Sequence, residues 1–511
     1  MKRWVAILAA VALLFGAAGA GLVAVLALRG TDRSALDASP VPSDLDPRLA
    51  PAGLEAYYSQ ELAWERCGDH ECATLKVPMD YSAPRRGDVS IAVLRVRALG
   101  DPIASMVVNP GGPGGSGTDY AKNASFAFSK ELRRHVDVVG FDPRGTGRST
   151  AIDCVNDDEL DVYVAQDPTP STPAEVLRAR SLSMQFGAGC AALSGDLVDH
   201  VSTIEAARDM DVLRASLEES RLTYFGASYG TKLGATYAEL FPQRVGRLVL
   251  DGGVDVTLDS QTMSVEQARG FETALRAYVS HCVAATERCF LGSDVDEGVA
   301  TVRQILDDIE AEPLQVGDRT LTGGLAFYGA VTPLYVSNYW PMLSTALRTA
   351  QAGNGTALLA LADTYTGREE SGFRDNSMEA IFAINCLDDP AWVPWRRVPA
   401  HFEEFEEASP TFGRVFAWGL AGCASSRGRS TEPPLDIRAE GAAPIVVVGT
   451  TRDPATPYAW SVALADQLDS GVLVSRDGDG HTGYGVGNAC VDEAVESYLV
   501  EGTVPQDGLS C

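Results

Sequence analysis

Basic residues are scarce in this sequence of 511 residues, because 41 Lys and Arg stand against 69 Asp and Glu and give a net charge of −28. Such a surface repels phosphate backbones and anionic lipid headgroups, so the composition argues against nucleic-acid binding and membrane adhesion. Internal repeats and low-complexity tracts are also missing. The hydrophobic content of 45% is typical of a globular protein, and the length exceeds one ordinary core.

Charged residues are absent from residues 4–28, which follow two basic residues. This pattern predicts that residues 1–28 form an export signal or a membrane anchor, with the rest of the chain outside the cytoplasm. The run is long enough to cross a bilayer, yet residues 18–20 (Ala-Gly-Ala) offer a cleavage site, so both outcomes stay open. Residues 29–53 are rich in Asp, Ser and Pro and are interpreted as a flexible linker.

The ten cysteines include no C-x-x-C pair with zinc spacing. An even count in an exported chain indicates disulfides, although spacing alone does not define their connectivity. Pairing each cysteine with its nearest neighbour is a guess, and free buried thiols are the alternative. The five neighbouring couples are Cys67/Cys72, Cys154/Cys190, Cys282/Cys289, Cys386/Cys423 and Cys490/Cys511.

Apolar runs alternate with helical patterns in the first half of the chain and again near its end. Several runs are continuous in Val, Ile and Leu, as strands buried on both faces must be. The clearest helix is predicted over residues 203–217, with a capping box formed by Ser202 and Glu205. The alternation predicts an α/β fold with a mostly parallel sheet. The predicted strands are residues 73–77, 90–96, 104–108, 136–141, 222–225, 247–250, 444–448 and 471–475.

The alternation of strands and helices stops between residues 256 and 441. We interpret residues 256–441 as an α-helical cap, inserted between two core segments at residues 54–255 and 442–511. Helical patterns within the cap are predicted at residues 266–279, 295–309, 343–350 and 357–365.

A serine stands at a predicted strand-to-helix turn. The motif G-x-S-x-G at residues 226–230 follows the apolar run 222–225 and precedes a run that permits a helix. The glycines of such a turn let strand and helix approach closely, while the serine hydroxyl is exposed at a helix N-terminus that favours negative charge. Glycine-rich turns without catalytic function share this pattern, so a nucleophilic Ser228 requires partners elsewhere.

A serine nucleophile needs a base, and the chain contains only six histidines. His481 lies in a glycine-rich loop directly after the last predicted strand, where the base of an α/β-hydrolase is found. Asp453 follows the penultimate strand and is the predicted acid that holds the histidine tautomer. Asp251, at the end of the strand 247–250, is the alternative acid. A turn-forming Asp-Pro is the competing interpretation of Asp453.

Two backbone amides are expected to stabilise the oxyanion of an acyl-transfer reaction. The amide of Tyr229, directly after the nucleophile, is the first. The glycine-rich loop 109–117, after the third predicted strand, is expected to supply the second. This loop lacks the G-K-[ST] ending of a phosphate-binding loop, so phosphate binding is the weaker interpretation.

Seven stretches form a specific combination: PGGPGG at 110–115, DPRGTGRS at 142–149, GASYGT at 226–231, GTTRDPATP at 449–457, WERC at 64–67, CATLKVPMDY at 72–81 and NCLD at 385–388. Together they resemble the prolyl-aminopeptidase-like serine peptidases, and more narrowly the secreted tripeptidyl aminopeptidases of actinobacteria and their mycobacterial cell-envelope relatives. Where the smaller prolyl aminopeptidases have histidine before Gly-Gly-Pro-Gly, this chain has Pro110. That departure favours the larger tripeptidyl group.

The resemblance implies an α/β-hydrolase fold with Ser228, His481 and Asp453 as a catalytic triad. It also implies that the amides of Gly112 and Tyr229 form the oxyanion hole. No metal and no cofactor is required for this chemistry. The implied substrates are peptides or proteins that are hydrolysed from a free N-terminus.

A peptidase of this kind needs a carboxylate that anchors the substrate ammonium group. Asp388 in the predicted cap is the residue that we expect to do so, with Asp389, Glu266 and Glu272 as alternatives. Two other functions stay open. A cell-envelope esterase or lipase uses the same catalytic parts, and a non-catalytic binding protein can keep the hydrolase fold.

Overall fold

The computed structural model describes residues 36–285, 289–430, 432, 433 and 435–511. Within it, Ala38–Cys511 form one compact unit around a ten-stranded sheet. The apolar segment 4–28 lies outside the described residues. Within the described ranges, no helix is both long enough and apolar enough to cross a membrane.

The strands alternate with helices along the chain as the apolar runs predict. In chain order they are β1 Glu65–Cys67, β2 His70–Pro78, β3 Asp88–Val96, β4 Ala104–Asn109, β5 Val136–Phe141, β6 Leu222–Ala227, β7 Val245–Asp251, β8 Leu314–Val316, β9 Arg319–Leu321, β10 Arg368–Glu369, β11 Gly372–Phe373, β12 Ile445–Arg452, β13 Gly471–Asp479 and β14 Leu509–Ser510. Each predicted strand lies within an observed strand, with one exception. Residue 444, the first of the run 444–448, precedes β12.

The main sheet has the order β1-β2-β3-β5-β4-β6-β7-β12-β13-β14. The first three pairings are antiparallel, and every pairing from β5 to β14 is parallel. Every residue of β5, β6 and β7 is buried, because helices cover both faces of the central sheet. The predicted α/β class with a mostly parallel sheet is therefore confirmed.

Helices connect the parallel strands and fill the long segment between β7 and β12. They are α1 Glu55–Tyr58, α2 Gly117–Lys122, α3 Ala124–Ala127, α4 Leu132–His135, α5 Asp157–Val164, α6 Pro173–Ser194, α7 Thr203–Ser216, α8 Tyr229–Leu240, α9 Ser260–Ala285, α10 Val295–Ala311, α11 Gly323–Val331, α12 Trp340–Gln351, α13 Thr356–Thr366, α14 Ser377–Asp388, α15 Phe402–Ala408, α16 Gly413–Gly419, α17 Tyr458–Gln467 and α18 Ala489–Glu501. The predicted helix 203–217 corresponds to α7, where the Ser202 hydroxyl accepts a hydrogen bond from the Glu205 amide.

The segment between β7 and β12 is predominantly helical, as expected for the cap. The four predicted cap helices correspond to α9, α10, α12 and α13. The side chain of Asn376, just before α14, attaches this segment to the core: its amide nitrogen donates to the carbonyls of Gly145 (2.9 Å) and Ile152 (2.7 Å), and its oxygen accepts from the Gly147 amide (2.8 Å). The division into cap and core at residues 256 and 441 stays an interpretation.

Residues 39–48, within the predicted linker 29–53, are bound to the core rather than free. The amide of Ser39 donates to the carbonyl of Val500 at 3.0 Å. The Ser220 hydroxyl donates to the carbonyl of Leu45 at 2.6 Å. These hydrogen bonds involve main-chain groups of residues 39–48. The side-chain composition of the segment, which is polar and has no hydrophobic periodicity, therefore did not predict them.

The ten cysteines form five disulfides, each between nearest neighbours in the sequence. The guessed connectivity is therefore confirmed. Five disulfides are typical of a protein that resides in an oxidising compartment.

Candidate active site

Ser228 occupies a strained turn between β6 and α8. Its φ of 57° and ψ of −126° are unusual for a residue with a side chain. The turn is tight, because a Cβ placed on Gly226 would come within 2.4 Å of the Gly230 carbonyl oxygen. The Ser228 amide donates to the main-chain carbonyl of Asp251 at 2.8 Å, which fixes the turn to the end of β7. This geometry is that of a nucleophile elbow.

Asp453 and His481 are in direct contact, although 28 residues separate them in the sequence. The imidazole Nδ1 of His481 lies 2.9 Å from both carboxylate oxygens of Asp453. An ionised carboxylate can only accept, so Nδ1 carries the proton and Nε2 is left free to act as a base.

The Asp453 carboxylate is buried and held by several donors. It accepts hydrogen bonds from the amides of Ala455 and Thr456, both at 2.9 Å, and from the Thr482 amide at 3.1 Å. The Thr456 hydroxyl adds a fourth donor at 3.1 Å. Burial acts to lower the pKa of the His481 imidazole, but the charge and hydrogen bond of Asp453 raise it above its ordinary value of 6.5.

The helical segment between β7 and β12 contributes to the surroundings of the imidazole through Tyr335. The Tyr335 carbonyl accepts from the His481 amide at 2.8 Å, and the two rings meet edge to face with centroids 5.4 Å apart. On the core side, a Cβ placed on Gly252 would lie 3.4 Å from the imidazole Cε1. Gly252 directly follows Asp251, whose carbonyl binds the Ser228 amide. The imidazole and the elbow therefore both lie against the carboxyl end of β7.

In the described part of the chain, no hydrogen bond joins the Ser228 hydroxyl to the His481 ring. Hydrogen bonds between nucleophile and base are often long in unliganded enzymes and tighten when substrate binds. The catalytic roles of Ser228 and His481 therefore stay a prediction.

Asp251, the alternative acid, contacts the main chain of the histidine loop instead of the imidazole nitrogens. Its carboxylate accepts from the amides of Gly483 (2.7 Å) and Tyr484 (2.9 Å), and the residue is 1% exposed. Burial raises the pKa of Asp251 to about 6 despite these two donors. This arrangement favours Asp453 as the partner of His481.

The glycine-rich loop after β4 lies against the elbow. A Cβ placed on Gly111 would come within 2.7 Å of the Ser228 Cβ and 3.1 Å of the Tyr229 amide nitrogen. The Asn109 side chain accepts the Gly111 amide at 2.9 Å. Within the described residues, the amides of Gly112 and Tyr229 have no acceptor in the protein. Neither amide is therefore occupied by another group of the described residues.

Replacement of Gly111 by alanine is expected to lower kcat/KM by about 10²-fold or more, the effect of losing one oxyanion donor. The added methyl group would overlap the Ala227 carbonyl (2.6 Å) and Ser228, forcing the loop away from the elbow. Gly317→Ala is the matched control, because Gly317 also has a positive φ (65°) but an added methyl group there would meet no atom within 4 Å. Equal losses of activity in the two variants, measured with one peptide substrate, would show that the close approach of Gly111 is unimportant.

Asp388, the predicted ammonium anchor, already has protein partners. Its carboxylate accepts from the Thr203 amide at 2.8 Å and forms an ion pair with Lys232 at 2.7 Å. The Thr203 hydroxyl also binds Asp388 and lies 2.5 Å from the Tyr229 hydroxyl. The side chain of Asp388 is only 7% exposed. This engagement argues against substrate anchoring, and the role stays an untested prediction.

The three alternative anchors are similarly engaged. Asp389 accepts from the amide (3.0 Å) and hydroxyl of Ser260. Glu266 accepts from the Trp460 indole nitrogen. Glu272 is buried and accepts from the hydroxyl of Ser409 at 2.7 Å. The geometry therefore singles out none of the four carboxylates as an ammonium site.

Two residues that bind the Asp453–His481 pair were not predicted from the sequence. Thr456 donates to Asp453 through both its amide and its hydroxyl. The Asp-Pro sequence at 453–454 is typical of an Asx turn, which the Ala455 amide closes, and Thr456 is the next residue along the chain. Tyr335 lies in the helical segment between β7 and β12, and no local signal in the sequence linked it to His481.

The elbow, the glycine-rich loop and the loops after β12 and β13 together define a serine hydrolase site of the α/β-hydrolase class. The family model described as TAP-like protein matches residues 409–511, which include Asp453 and His481. Over 480 residues the chain is 36% identical to serine protease Hip1 of Mycobacterium tuberculosis, covering 89% of this chain and 92% of that protein.

Two further relatives cover most of the chain. Carboxylesterase B of Mycobacterium tuberculosis is 36% identical over 454 residues, covering 86% of each protein. Tripeptidyl aminopeptidase of Streptomyces lividans is 29% identical over 484 residues, covering 91% of this chain and 87% of that protein. The chain therefore belongs to the tripeptidyl-aminopeptidase-like family of α/β-hydrolases that includes Hip1.

Proposed function

We propose that this protein is an exported serine peptidase that hydrolyses peptides or proteins from a free N-terminus. Ser228 is the nucleophile, His481 the general base and acid, and Asp453 the carboxylate that orients and stabilises the imidazole. The amides of Gly112 and Tyr229 form the oxyanion hole. The contact between Asp453 and His481 Nδ1, close to a strained serine elbow, is the observation that carries the proposal.

The reaction is acyl transfer in two halves. His481 Nε2 takes the Ser228 proton as the oxygen attacks the peptide carbonyl, and the negative charge on the carbonyl oxygen is held by the two amides. The imidazolium then protonates the leaving amine as the C–N bond breaks, which leaves an acyl-enzyme. His481 next takes a proton from water as the water oxygen attacks the acyl-enzyme. The ester bond to the Ser228 oxygen then breaks, the imidazolium returns its proton to that oxygen, and the acid is released.

Support for peptide substrates comes from the relatives named serine protease and tripeptidyl aminopeptidase. The test compares the tripeptide anilide of one sequence in free-amine and N-acetylated forms with a simple p-nitrophenyl ester. We expect the free-amine anilide to be cleaved with release of an intact tripeptide, and the acetylated anilide to be cleaved at least about 10²-fold more slowly. That factor corresponds to the loss of one charge-assisted contact of about 3 kcal/mol. Equal rates for the two anilides would refute specificity for a free N-terminus.

An esterase is the second candidate function, because carboxylesterase B is as similar to this chain as Hip1 is. Ester and amide hydrolysis use the same triad and oxyanion hole, so the substrate decides between them. Hydrolysis of the p-nitrophenyl ester with both anilides untouched would establish the esterase. If a fluorophosphonate probe does not label Ser228, this protein is instead a non-catalytic binding protein.

Export is proposed from the apolar N-terminal run together with the five disulfides. Whether the protein is released or stays anchored in the cell envelope depends on cleavage near residues 18–20. N-terminal sequencing of the mature protein decides between the two, since an anchored form keeps residues 4–28.

A further inference from the structure

Asp251 binds both halves of the candidate active site. Its main-chain carbonyl accepts the Ser228 amide at 2.8 Å. Its carboxylate accepts the amides of Gly483 and Tyr484 at 2.7 and 2.9 Å, in the loop that carries His481. Asp251 is the last residue of β7 and is 1% exposed, so neither contact is open to solvent.

The histidine loop has further attachments on the C-terminal side of His481. The Thr482 amide donates to Asp453 at 3.1 Å, the Tyr484 hydroxyl donates to Glu496 at 3.0 Å, and the Gly485 amide donates to Asp492 at 2.8 Å. The Arg476 guanidinium donates to the carbonyl of Thr482 at 3.4 Å, and the Thr450 hydroxyl donates to the same carbonyl at 2.7 Å. Thr482 has a φ of 67°, an unfavourable value that its surroundings must impose. The two amides that follow Thr482 are those held by Asp251.

We propose that Asp251 is a positioning residue that fixes the His481 loop relative to the Ser228 elbow. The inference rests on the proposed function, because it assumes that these two residues react together. The carboxylate oxygens of Asp251 accept two main-chain amides of the histidine loop, and its main-chain carbonyl accepts the Ser228 amide. Asp251 thereby links the serine turn directly to the loop that carries the imidazole.

The carboxylate of Asp251 also acts on His481 through its charge. The charge of Asp251 is among the causes that raise the pKa of the imidazole, after that of Asp453. Besides His481 and Asp453, the ionisable groups near Asp251 are Arg476 on β13 and Tyr120 on α2. The negative charge of Asp251 acts to raise the pKa of both. Loss of the Asp251 charge should therefore lower the pKa of His481, whereas a purely structural contact would leave that pKa unchanged.

The test is Asp251→Asn, which keeps the shape of the side chain. The NH2 group of asparagine would face one of the two main-chain amides, which needs an acceptor and not a second donor. We expect kcat to fall about 10²-fold with KM nearly unchanged, as for a small displacement of reacting groups. The acidic limb of the kcat/KM profile should move to lower pH. Asp137→Asn is the matched control: Asp137 is 4% exposed and accepts the Ala98 amide at 2.8 Å, but it lies at the opposite end of the sheet on β5.

A second measurement keeps the inference testable if Asp251→Asn loses stability. The pKa of His481 is followed by NMR in Ser228→Ala and in the double variant Ser228→Ala/Asp251→Asn, and we expect a lower value in the double variant. An unchanged His481 pKa, or kinetics of Asp251→Asn that match those of Asp137→Asn, would overturn the positioning role. Failure of the proposed function is distinguishable, because it would show as undiminished activity in Ser228→Ala alone.

Discussion

Ser228→Ala is expected to lower kcat/KM for a peptide substrate by about 10⁴-fold or more while the midpoint of thermal unfolding changes little. Removal of the nucleophile eliminates the acyl-enzyme route, and only the oxyanion amides and substrate binding remain. Stability should be preserved because the Ser228 hydroxyl has no hydrogen-bond partner within the described residues. Serine and alanine adopt the same strained backbone at the elbow, so the substitution leaves the cost of that strain unchanged. Activity is measured with the free-amine tripeptide anilide, and unfolding is followed by circular dichroism.

Ser216→Ala is the matched control for this prediction. The Ser216 hydroxyl is buried and donates to the Val212 carbonyl at 2.9 Å within α7. Its removal should cost about 1 kcal/mol of stability and leave kcat/KM unchanged. The opposite pattern, in which Ser216→Ala is inactive and Ser228→Ala is active, would disprove the assignment of the nucleophile.

The core sheet could be predicted because its strands are buried on both faces. A strand such as β6 or β7 has no polar face, so its sequence is a continuous apolar run that stands out against the helices. Ser228, Asp453 and His481 were selected with the help of the same pattern, because each lies in the turn or loop that follows a predicted strand. Side chains at the carboxyl ends of parallel strands meet at one edge of a sheet.

The carboxylates of the cap could not be assigned in the same way. Asp388 and Asp389 lie at the end of α14, and their partners Lys232, Thr203 and Ser260 come from distant parts of the chain. A carboxylate looks identical in the sequence whether it is paired or free to bind a substrate. Only the folded structure shows that these groups are already engaged.

Hydrogen bonds to main-chain amides were also invisible in the sequence. Asp251 was considered only as an acid for His481, because a side chain can be matched to another side chain by residue type. Its observed partners are the amides of Gly483 and Tyr484, which every residue except proline possesses. The attachment of residues 39–48 to the core was missed for the same reason.

Asp453→Asn is expected to lower kcat about 10⁴-fold, the loss found when the orienting carboxylate of a catalytic triad is replaced by an amide. The amide nitrogen of asparagine can donate to Nδ1 of His481, which favours the tautomer with the proton on Nε2. That tautomer cannot accept the Ser228 proton. The amides of Ala455 and Thr456 would keep an acceptor in the carbonyl oxygen of the asparagine, so the loop itself should remain folded.

The pH profile separates this electrostatic effect from a loss of structure. In the wild type the pKa of His481 is raised above 6.5, so kcat/KM should fall as the pH drops through that raised value and the base becomes protonated. Without the charge of Asp453 the pKa of His481 falls, and the residual activity of Asp453→Asn should persist to lower pH. The shift should exceed that of Asp251→Asn, because Asp453 contacts the imidazole directly at 2.9 Å whereas Asp251 contacts the neighbouring amides. If Asp251→Asn disables the enzyme while Asp453→Asn retains activity, the catalytic acid is Asp251, and the contact between Asp453 and His481 has only a structural role.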